Sequence, residues 1–587
     1  MSSIRGTNGL VAHRFRGRYY TEMTRFESDL NILGMRVIRD IPCHPEKYKE
    51  WLKDTRDRYA RMEEEQDAGI LTMSAAEAPP RGLPWPARHE TLAILRPDAR
   101  VFSIVVFVNL DAEVLTMQYG AHFNLASFPH RGAQWRGAIR PSMYNGYPTL
   151  SLDFCGRDQM AEPAKKRRTL EALVQGHGTV RVVPKRTLYS GRDVFLAHAL
   201  AKIYRTYHRA ITRFGLEWDR DSFVLREFVF AILSIASGEA QFSSAVCCRE
   251  YCFAREEDHC NGVHLNWQRP CFEGGDLGAL EPCATFGSFF HRKGEVAGAA
   301  PAGHVYWMKG VVINISTVVD GAAIQEAIDW GWAQGKQEFQ IIAMSVFDIA
   351  FADVYVGSDK HRVVRFSDAL NLSPLRSEEC MSLHPLTRPP WSADAGMDLT
   401  PGARIVSCNS FGTAARLEKH YGGLAALVNF FKVATVRGVP PQNSSALPTE
   451  ILARIMSYAD NETQRTCMQL SQSLCVLGFS DFRIDEEWSI AARPESVRKQ
   501  GANNRERGLL ALSLAHNATD EVAAAVQVMS ANGWGRWTWV PVVGSGERRV
   551  LMTDVALVFA PAQGCELDED AADGDVSHLE CDDDSNY

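Results

Sequence analysis

The chain's most informative stretch is residues 447–490, LPTEILARIMSYADNETQRTCMQLSQSLCVLGFSDFRIDEEWSI. Pro448 suits the first turn of a helix, where its missing N–H removes no hydrogen bond. Glu450 in the same turn interacts favourably with the helix dipole. Apolar residues then recur with helical spacing, which predicts a helix that ends before Asp460. These residues are Ile451, Leu452, Ile455, Met456 and Ala459.

A second amphipathic helix is predicted from about Glu462, within a compact helical stretch that continues to about Trp488. Its apolar positions are Cys467, Met468, Leu470, Leu474 and Leu477. Two amphipathic helices of this length cannot bury a core by themselves. They therefore need a partner surface, either in the same chain or in another protein.

The same stretch resembles the F-box, which opens with Leu-Pro-x-Glu-Ile-Leu and closes with a Val-Ser-like pair, here Leu470-Ser471. The resemblance implies docking to the Skp-type linker subunit of a cullin–RING (SCF-type) ubiquitin ligase. The chain would then be a non-catalytic adaptor that recruits an unknown protein substrate. Carried over to this sequence, the residues that would fill the linker subunit's groove are Leu447, Pro448, Ile451, Leu452, Ile455 and Tyr458.

An alternative interpretation treats the helical stretch as internal core. The chain would then be a non-catalytic interaction or scaffold protein, with a structural zinc site as a further option. Exposure separates the two hypotheses, because a docking surface must face outward as an apolar patch. The residues to inspect are Pro448, Ile451, Leu452 and Ile455.

The opening 65 residues are similar to the start of a group of large uncharacterised fungal proteins. The similarity lies in GLVAHRFRGRYYTEMTRFESDL (9–30), LGMRVIRDIP (33–42) and EKYKEWL (46–52). Several proteins of that group carry an F-box-like segment late in the chain. The resemblance implies the late position of such a segment here and brings no known activity with it.

The composition is that of a globular protein with more than one core. The chain has 587 residues, of which 45% are hydrophobic and 23% charged, and this length calls for several folded units. The formal net charge is −8, but the stretch from Cys565 to Tyr587 holds ten acidic residues and no Lys or Arg. Without that tail the charge is +2, which argues against nucleic-acid or anionic-membrane binding by bulk charge.

Neither a membrane span nor an export signal is recognisable in the sequence. Its apolar stretches are shorter than the roughly 18–20 residues that a spanning helix needs, and the N-terminus lacks the apolar region of a signal peptide. We therefore expect an intracellular protein, cytoplasmic or nuclear, with reduced cysteines. Phosphate-binding, dinucleotide-binding, zinc-protease and nucleophile-elbow motifs are absent, so no catalytic residue is predicted.

Strand and helix patterns together predict an α+β multidomain protein, in which a large mixed α/β body precedes a small all-helical F-box-like segment and an αβ C-terminal piece. Body strands are predicted at 101–109, 178–183, 303–316 and 339–356, and body helices at 194–213, 322–333 and 413–434, the last interrupted at Gly422-Gly423. The predicted units are residues 1–70, a Pro-rich linker at 71–88, the body at 89–438, the F-box-like segment at 439–495, a C-terminal piece at 496–563 and a disordered acidic tail at 564–587. The N-terminal unit is predicted to contain a hairpin (8–26) and a helix (46–66). The C-terminal piece is predicted to contain a helix (518–531) and a hairpin.

Six of the fourteen cysteines fall between Cys247 and Cys283, interleaved with histidines. Zinc prefers four thiolate or imidazole ligands that come in closely spaced pairs. Cys248, Cys252, Cys260 and His264 could supply such a set, although the spacing matches no known zinc module. Packing of buried thiols in a loop-rich subdomain explains the cluster equally well. Apart from this zinc, no cofactor is expected.

A basic run follows Pro163 and comprises Lys165, Lys166, Arg167 and Arg168. Clusters of this kind serve as nuclear-import signals. The alternative is the solvated first turn of a helix. Direct nucleic-acid binding is not expected, because the run has no flanking aromatic residues on which bases could stack.

Overall fold

The structure, a computed structural model, describes residues 8–561 with internal gaps. The longer gaps are 68–87, 90–101, 162–177, 248–262, 266–283, 286–298, 373–416, 493–510 and 528–536. Helices and several mixed sheets share the described residues, so the predicted α+β architecture is confirmed at this level. The basic run 165–168 and the acidic tail 564–587 lie outside the described residues.

The α-helices of the described residues have the following bounds: α1 Leu30–Arg39, α2 Pro45–Asp67, α3 Gln134–Ala138, α4 Gly191–Phe214, α5 Phe223–Ser237, α6 Gly321–Ala333, α7 Gly422–Gly438, α8 Thr449–Tyr458, α9 Asn461–Cys467 and α10 Gln472–Ser480.

The strands are β1 Asn8–Phe15, β2 Arg18–Thr24, β3 Arg88–His89, β4 Phe102–Asn109, β5 Val114–Met117, β6 Ala121–Asn124, β7 Ile139–Pro141, β8 Pro148–Leu150, β9 Gly178–Val182, β10 Gln241–Cys247, β11 Val263–Leu265, β12 Ala284–Thr285, β13 Val305–Met308, β14 Val311–Ile315, β15 Phe339–Met344, β16 Asp348–Val356, β17 Arg362–Ser367, β18 Leu370–Asn371, β19 Phe482–Arg483, β20 Trp488–Ala492, β21 Ala511–His516, β22 Val522–Gln527, β23 Trp537–Val543, β24 Val550–Leu551 and β25 Leu557–Pro561.

The first sheet has six strands in the order β3-β2-β1-β4-β5-β6. The predicted hairpin is confirmed as β1 and β2, which pair antiparallel, and β1 also pairs with β4 in parallel. The sheet thus contains strands from both sides of the 71–88 segment. The predicted helix is confirmed as α2, which buries Tyr48, Leu52 and Tyr59 in the same core as this sheet. Helix α1 was not predicted and adds Leu33 to that core.

The second sheet has seven strands, in the order β13-β14-β15-β16-β17-β9, with β18 pairing β16. The predicted body strands appear as β4, β9, β13 to β16, and the predicted helices at 194–213 and 322–333 as α4 and α6. Helix α6 shares a core with this sheet, through residues such as Ala327, Ile328 and Ile341. Asp320 caps α6 by accepting the N–H groups of Ala322 and Ala323, as short polar caps do.

The third sheet has ten strands and joins the middle of the chain to its end. Its main path is β11-β10-β23-β25-β22-β21-β20-β19, so β10 from the body pairs with β23 from the C-terminal piece. The largest core lies between this sheet and the second one, where α4, α5 and α7 bury residues such as Phe195, Phe228 and Phe431.

The predicted helix at 518–531 is wrong. Residues 522–527 form strand β22, which pairs with β21 on one side and with β25 on the other. The run of alanines has high helix propensity, but a strand with neighbours on both sides satisfies its backbone groups along both edges. Tertiary pairing therefore overrides the local preference. The hairpin predicted after it is confirmed, because β23 pairs antiparallel with β24.

The predicted interruption at Gly422-Gly423 is the first residue pair of α7. A Cβ atom on Gly423 would lie 2.9 Å from the backbone carbonyl carbon of Asn371 in β18 and closer still to its oxygen. Helix α7 can therefore lie this close to β18 only because residue 423 has no side chain.

We expect Gly423→Ala to lower the free energy of unfolding by about 1–3 kcal/mol, because backbone atoms of β18 would have to move. Gly438→Ala in the same helix is the matched control, since nothing lies within 4 Å of its Cβ position. The control should be neutral or slightly stabilising. Urea denaturation of both variants measures the difference, and equal stabilities would contradict the close approach.

Within the described residues, no helix combines the length and the apolar character needed to cross a membrane.

Candidate functional site

The 447–490 segment folds as three short helices followed by two strands. Helix α8 has the predicted position, but the single helix predicted from Glu462 is two helices, α9 and α10. The break falls at Ser471, whose hydroxyl accepts the N–H of Leu474 at 3.3 Å and caps α10. Serine favours this role because its side chain competes with helix-interior hydrogen bonds.

The prediction that helix continues to Trp488 is also wrong. The chain leaves α10 at Ser480 and enters strands β19 and β20 of the third sheet. Asp485 closes the turn between them by accepting the N–H groups of Glu487 and Trp488 at 2.9 and 2.7 Å. Its other carboxylate oxygen accepts the indole N–H of Trp539 at 2.5 Å, which ties the turn to β23. Burial raises the pKa of Asp485 although these hydrogen bonds oppose the shift.

Helix α8 begins as the sequence predicts. The carbonyl oxygen of Pro448 accepts the N–H groups of Ile451 and Leu452, both at 3.1 Å. A proline at this position loses nothing by lacking its own N–H. Asp460 separates α8 from α9 and accepts the N–H of Thr463 at 2.6 Å, which lowers the pKa of this exposed carboxyl.

One side of the three helices is buried. Met456 of α8 is 3% exposed, and Cys475 and Phe479 of α10 are also buried. Gly478 is buried, and a Cβ atom there would lie within 3.0 Å of the Met468 side chain, which a larger residue would have to displace. This side of the segment is therefore core, as the alternative interpretation expects for the whole stretch.

The opposite side of α8 carries an exposed apolar stripe. Ile451 and Ile455 are 45% and 50% exposed, and Tyr458 is 77% exposed. Spacings of four and three residues place these side chains on one helix face. Leu447, four residues before Ile451, is 45% exposed. We call Leu447, Ile451, Ile455 and Tyr458 the apolar stripe.

Of the six residues predicted to dock, Pro448 and the four residues of the apolar stripe are exposed. Leu452 is half-buried and lies between the exposed and the buried side of α8. The sequence pattern predicted one broad apolar face, whereas the structure divides it: Met456 packs inward and the isoleucines face outward.

Arg483 fixes the C-terminal end of α8. Arg483 is 7% exposed, and its guanidinium donates to the carbonyl oxygens of Met456 and Ser457 at 3.2 and 2.8 Å and also to that of Ala459. Carbonyl groups at a helix end lack their usual partner four residues later, although that of Met456 also accepts the N–H of Ala459 at 3.3 Å. A cation at this end also interacts favourably with the helix dipole. Because Arg483 lies on β19, α8 is tied to the third sheet.

Helices α9 and α10 are attached to the body by further contacts. Arg465 of α9 donates to the carbonyl oxygens of Glu239 and Ala240 at 3.3 and 3.2 Å, just after α5. Gln472 of α10 donates to the carbonyl oxygen of Val439 at 3.3 Å, just after α7. Three separate elements of the described chain therefore hold the three helices in place.

A buried ionic cluster lies beneath α10. The carboxylate of Asp193, with no exposed area, accepts from Arg192 at 3.2 Å and from Lys432 at 2.9 Å. The Arg192 guanidinium lies 4.6 Å from the ring centroid of Phe479, a cation–π distance. Burial alone would raise the pKa of Asp193, but Arg192, Lys432 and the hydrogen bond with Ser190 outweigh it, so the pKa lies below its usual value.

Neither the role of Arg483 nor the ionic cluster was predictable from local sequence. The one local signal was the charged pair Arg192-Asp193 at the start of the otherwise apolar helix GRDVFLAHAL. Buried charges of this kind are retained only when they are paired, but the sequence does not show that Lys432 is their partner.

The predicted zinc ligands Cys248, Cys252 and Cys260 lie outside the described residues. His264 lies on β11, where its Cα pairs with that of Val246 on β10. The part of the chain that the structure describes contains no group of three or more His, Cys, Asp or Glu side chains able to hold a metal. The zinc site therefore stays a prediction.

Helix α8 thus presents an apolar stripe on a support attached to the body, an arrangement that is suited to binding another protein. Comparisons with protein-family models, with curated proteins and with solved structures find no match to this chain.

Proposed function

We propose that this chain is a non-catalytic, substrate-recruiting adaptor that docks on the Skp-type linker subunit of a cullin–RING ubiquitin ligase. The observation that supports this most is the apolar stripe on α8, a helix that begins at the Leu447-Pro448 pair of the F-box-like pattern. An ordinary core helix would bury these side chains, whereas a docking helix leaves them exposed until the partner binds.

The stripe can provide a substantial part of the binding free energy. Complete burial of a large apolar side chain is worth about 1.5–3 kcal/mol, and the stripe offers four partly exposed ones. Association also costs translational and rotational freedom. Because α8 is already folded and held by Arg483, little further ordering is required when the partner binds.

The attachment of the helices also supports an adaptor mechanism. An adaptor works by holding a substrate lysine close to a charged conjugating enzyme, which raises the effective concentration of the reactants. Contacts from Arg483, Arg465 and Gln472 hold the docking helices on the body. A substrate bound to the body would therefore keep a fixed position relative to the ligase.

The alternative, an interaction or scaffold protein in which the segment is only core, agrees with the buried side of the helices. It leaves the exposed apolar stripe without a role, so the observation favours docking.

We expect Ile455→Asp to reduce binding of the full chain to the purified linker subunit by at least about 30-fold, because a carboxylate would be buried in an apolar interface. The matched control is Ile32→Asp on α1, where the isoleucine is 56% exposed, against 50% for Ile455. Both side chains are exposed, so both variants should remain folded. A pull-down followed by titration measures the two affinities.

Equal binding by the Ile455→Asp and Ile32→Asp variants would contradict the proposed interface. Failure of the unmodified chain to bind the linker subunit at all would reject the adaptor function and leave the scaffold interpretation. Leu447→Ala/Pro448→Ala/Ile451→Ala provides a second, independent test of the same surface. If that variant is folded and binds normally, the stripe is not the docking site.

A further inference from the structure

Strand β9 forms one edge of the second sheet. It pairs in parallel with β17, and no other strand of the described residues pairs with it. Its residues from Gly178 to Arg181 are exposed, and Val180 is 44% exposed. Alternate residues of an edge strand direct N–H and C=O groups away from the sheet, where an added strand can bind them.

The register defines what an added strand would meet on each face. Val180 pairs with Arg365 of β17, so these two side chains lie on one face, and Arg181 lies on the other. Arg365 is exposed, and its guanidinium lies 4.5 Å from the ring centroid of Tyr355. One face of this edge therefore carries Arg365, on the neighbouring strand β17, and the other face carries Arg181 of β9 itself.

The chain continues from β9 along helix α7. Asn429 of α7 donates to the carbonyl oxygens of Lys185 and Thr187 at 3.1 and 2.9 Å, which holds this segment in an extended path. The Lys185 ammonium lies 4.3 Å from the ring centroid of Tyr189. Val183 is 88% exposed and Tyr189 45% exposed. We call Val180, Arg181, Val183, Lys185, Tyr189 and Arg365 the basic edge.

The acidic side chains beside the basic edge already have partners: Asp353, whose Cα pairs with that of Arg365, accepts from Arg437 at 3.2 Å. Arg181 is paired with Asp368 at 2.5 Å, and Glu418 accepts the N–H of Leu188 at 2.7 Å. Among the described residues, no acidic side chain forms an ion pair with Arg365 or Lys185. Two cations held against aromatic rings, beside an edge with exposed apolar residues, are complementary to an acidic chain that also carries apolar side chains.

We propose that the basic edge binds an extended acidic peptide of another protein by strand addition to β9. Main-chain hydrogen bonds to β9 would provide a sequence-independent part of the affinity. Arg365 and Lys185 would select acidic residues, and Val180 and Val183 would contact apolar residues between them.

In an adaptor this peptide would be the recruitment signal of the substrate. That role depends on the proposed function, whereas peptide binding itself does not involve any ligase subunit. Peptide binding and docking on the linker subunit can therefore be tested independently. Ile455→Asp should leave peptide binding intact, and substitutions in the basic edge should leave binding of the linker subunit intact.

The test uses fluorescence anisotropy with the full chain and a labelled peptide of about eight residues, a usual strand length. The peptide alternates Glu and Val. We expect Arg365→Glu/Lys185→Glu to weaken binding at least about tenfold. The control Arg61→Glu/Lys53→Glu makes the same charge change at exposed positions of α2 and should alter the affinity less than about twofold.

Two further peptides test the binding mode. A Lys/Val peptide should not bind, and a Glu/Val peptide with alternate backbone nitrogens methylated should lose binding, because its strand-pairing donors are removed. If Arg365→Glu/Lys185→Glu and Arg61→Glu/Lys53→Glu lose the same amount of peptide affinity, only the net charge of the chain attracts the peptide, and the proposal is overturned. No binding by the unmodified chain would overturn it too, as would undiminished binding of the methylated peptide. Self-association of the chain through β9 without peptide binding would assign the edge to a second copy instead.

Discussion

Replacing Asp193 by alanine is expected to lower the free energy of unfolding of the surrounding core by about 3–5 kcal/mol, because it leaves buried Arg192 without its counter-ion. The Arg192 side chain is only 3% exposed, so water cannot replace the carboxylate. Since Arg192 also contacts Phe479, we expect the loss to loosen α10. Urea denaturation of the full chain, followed through the transition that includes this core, measures the change.

Lys432→Met is the matched control for this prediction. It removes the other partner of Asp193, but the Lys432 side chain is 29% exposed and the Arg192–Asp193 pair remains. We expect a clearly smaller loss of stability. If both variants lose the same amount, burial of Arg192 is not the source of the effect.

The pH dependence of the Asp193 contribution follows from its lowered pKa. A carboxyl group whose pKa is lower in the folded state stabilises fully above its unfolded pKa of about 3.9. Its contribution disappears as the pH falls through the folded pKa. The stability difference between the unmodified chain and Asp193→Asn should therefore be constant near pH 7 and should shrink below about pH 4. A difference that grows on acidification would contradict the ionised pair.

Replacing Arg483 by methionine is expected to release the C-terminal end of α8. The substitution removes donors to three carbonyl groups at the end of α8, and a hydrogen bond that involves a charged group contributes about 1.5–3 kcal/mol net. We expect amide hydrogen exchange in 449–458 to accelerate by at least about 30-fold. Binding to the linker subunit should weaken although no residue of the apolar stripe has changed.

Arg454→Met is the control, because Arg454 is an exposed arginine of α8 itself. It should leave hydrogen exchange in α8 nearly unchanged. Arg483→Lys should not restore protection, since one ammonium cannot reproduce the fork of an arginine side chain. Normal exchange rates in Arg483→Met would show that α8 does not depend on this contact.

Local patterns in the sequence were sufficient to predict many elements of the fold. A turn near Arg16 followed by aromatic and β-branched residues predicted β1 and β2, and the apolar residues spaced along 46–66 predicted α2. Elements whose conformation depends on distant pairing were not predictable in this way. The alanine-rich β22 is a strand because β21 and β25 flank it, and nothing near Asn8 indicates that β1 pairs with β4.

The candidate site shows the same division. Leu447-Pro448 and the helical spacing of Ile451 and Ile455 predicted the helix and its apolar residues from local sequence. Which of these face outward depends on where the body lies, and only the structure separates exposed Ile455 from buried Met456. The contact of Arg483 with α8 joins residues more than twenty positions apart, so no local pattern could indicate it.

The proposed docking is tested most directly by site-specific cross-linking. A photoreactive phenylalanine analogue is placed at Ile455 in one full-length chain and at Ile32 in another, both exposed positions, and each chain is mixed with the purified Skp-type linker subunit. We predict a cross-linked complex from position 455 and none from position 32. If the linker subunit binds the chain and position 455 gives no cross-link, or if both positions cross-link equally, α8 is not the docking helix.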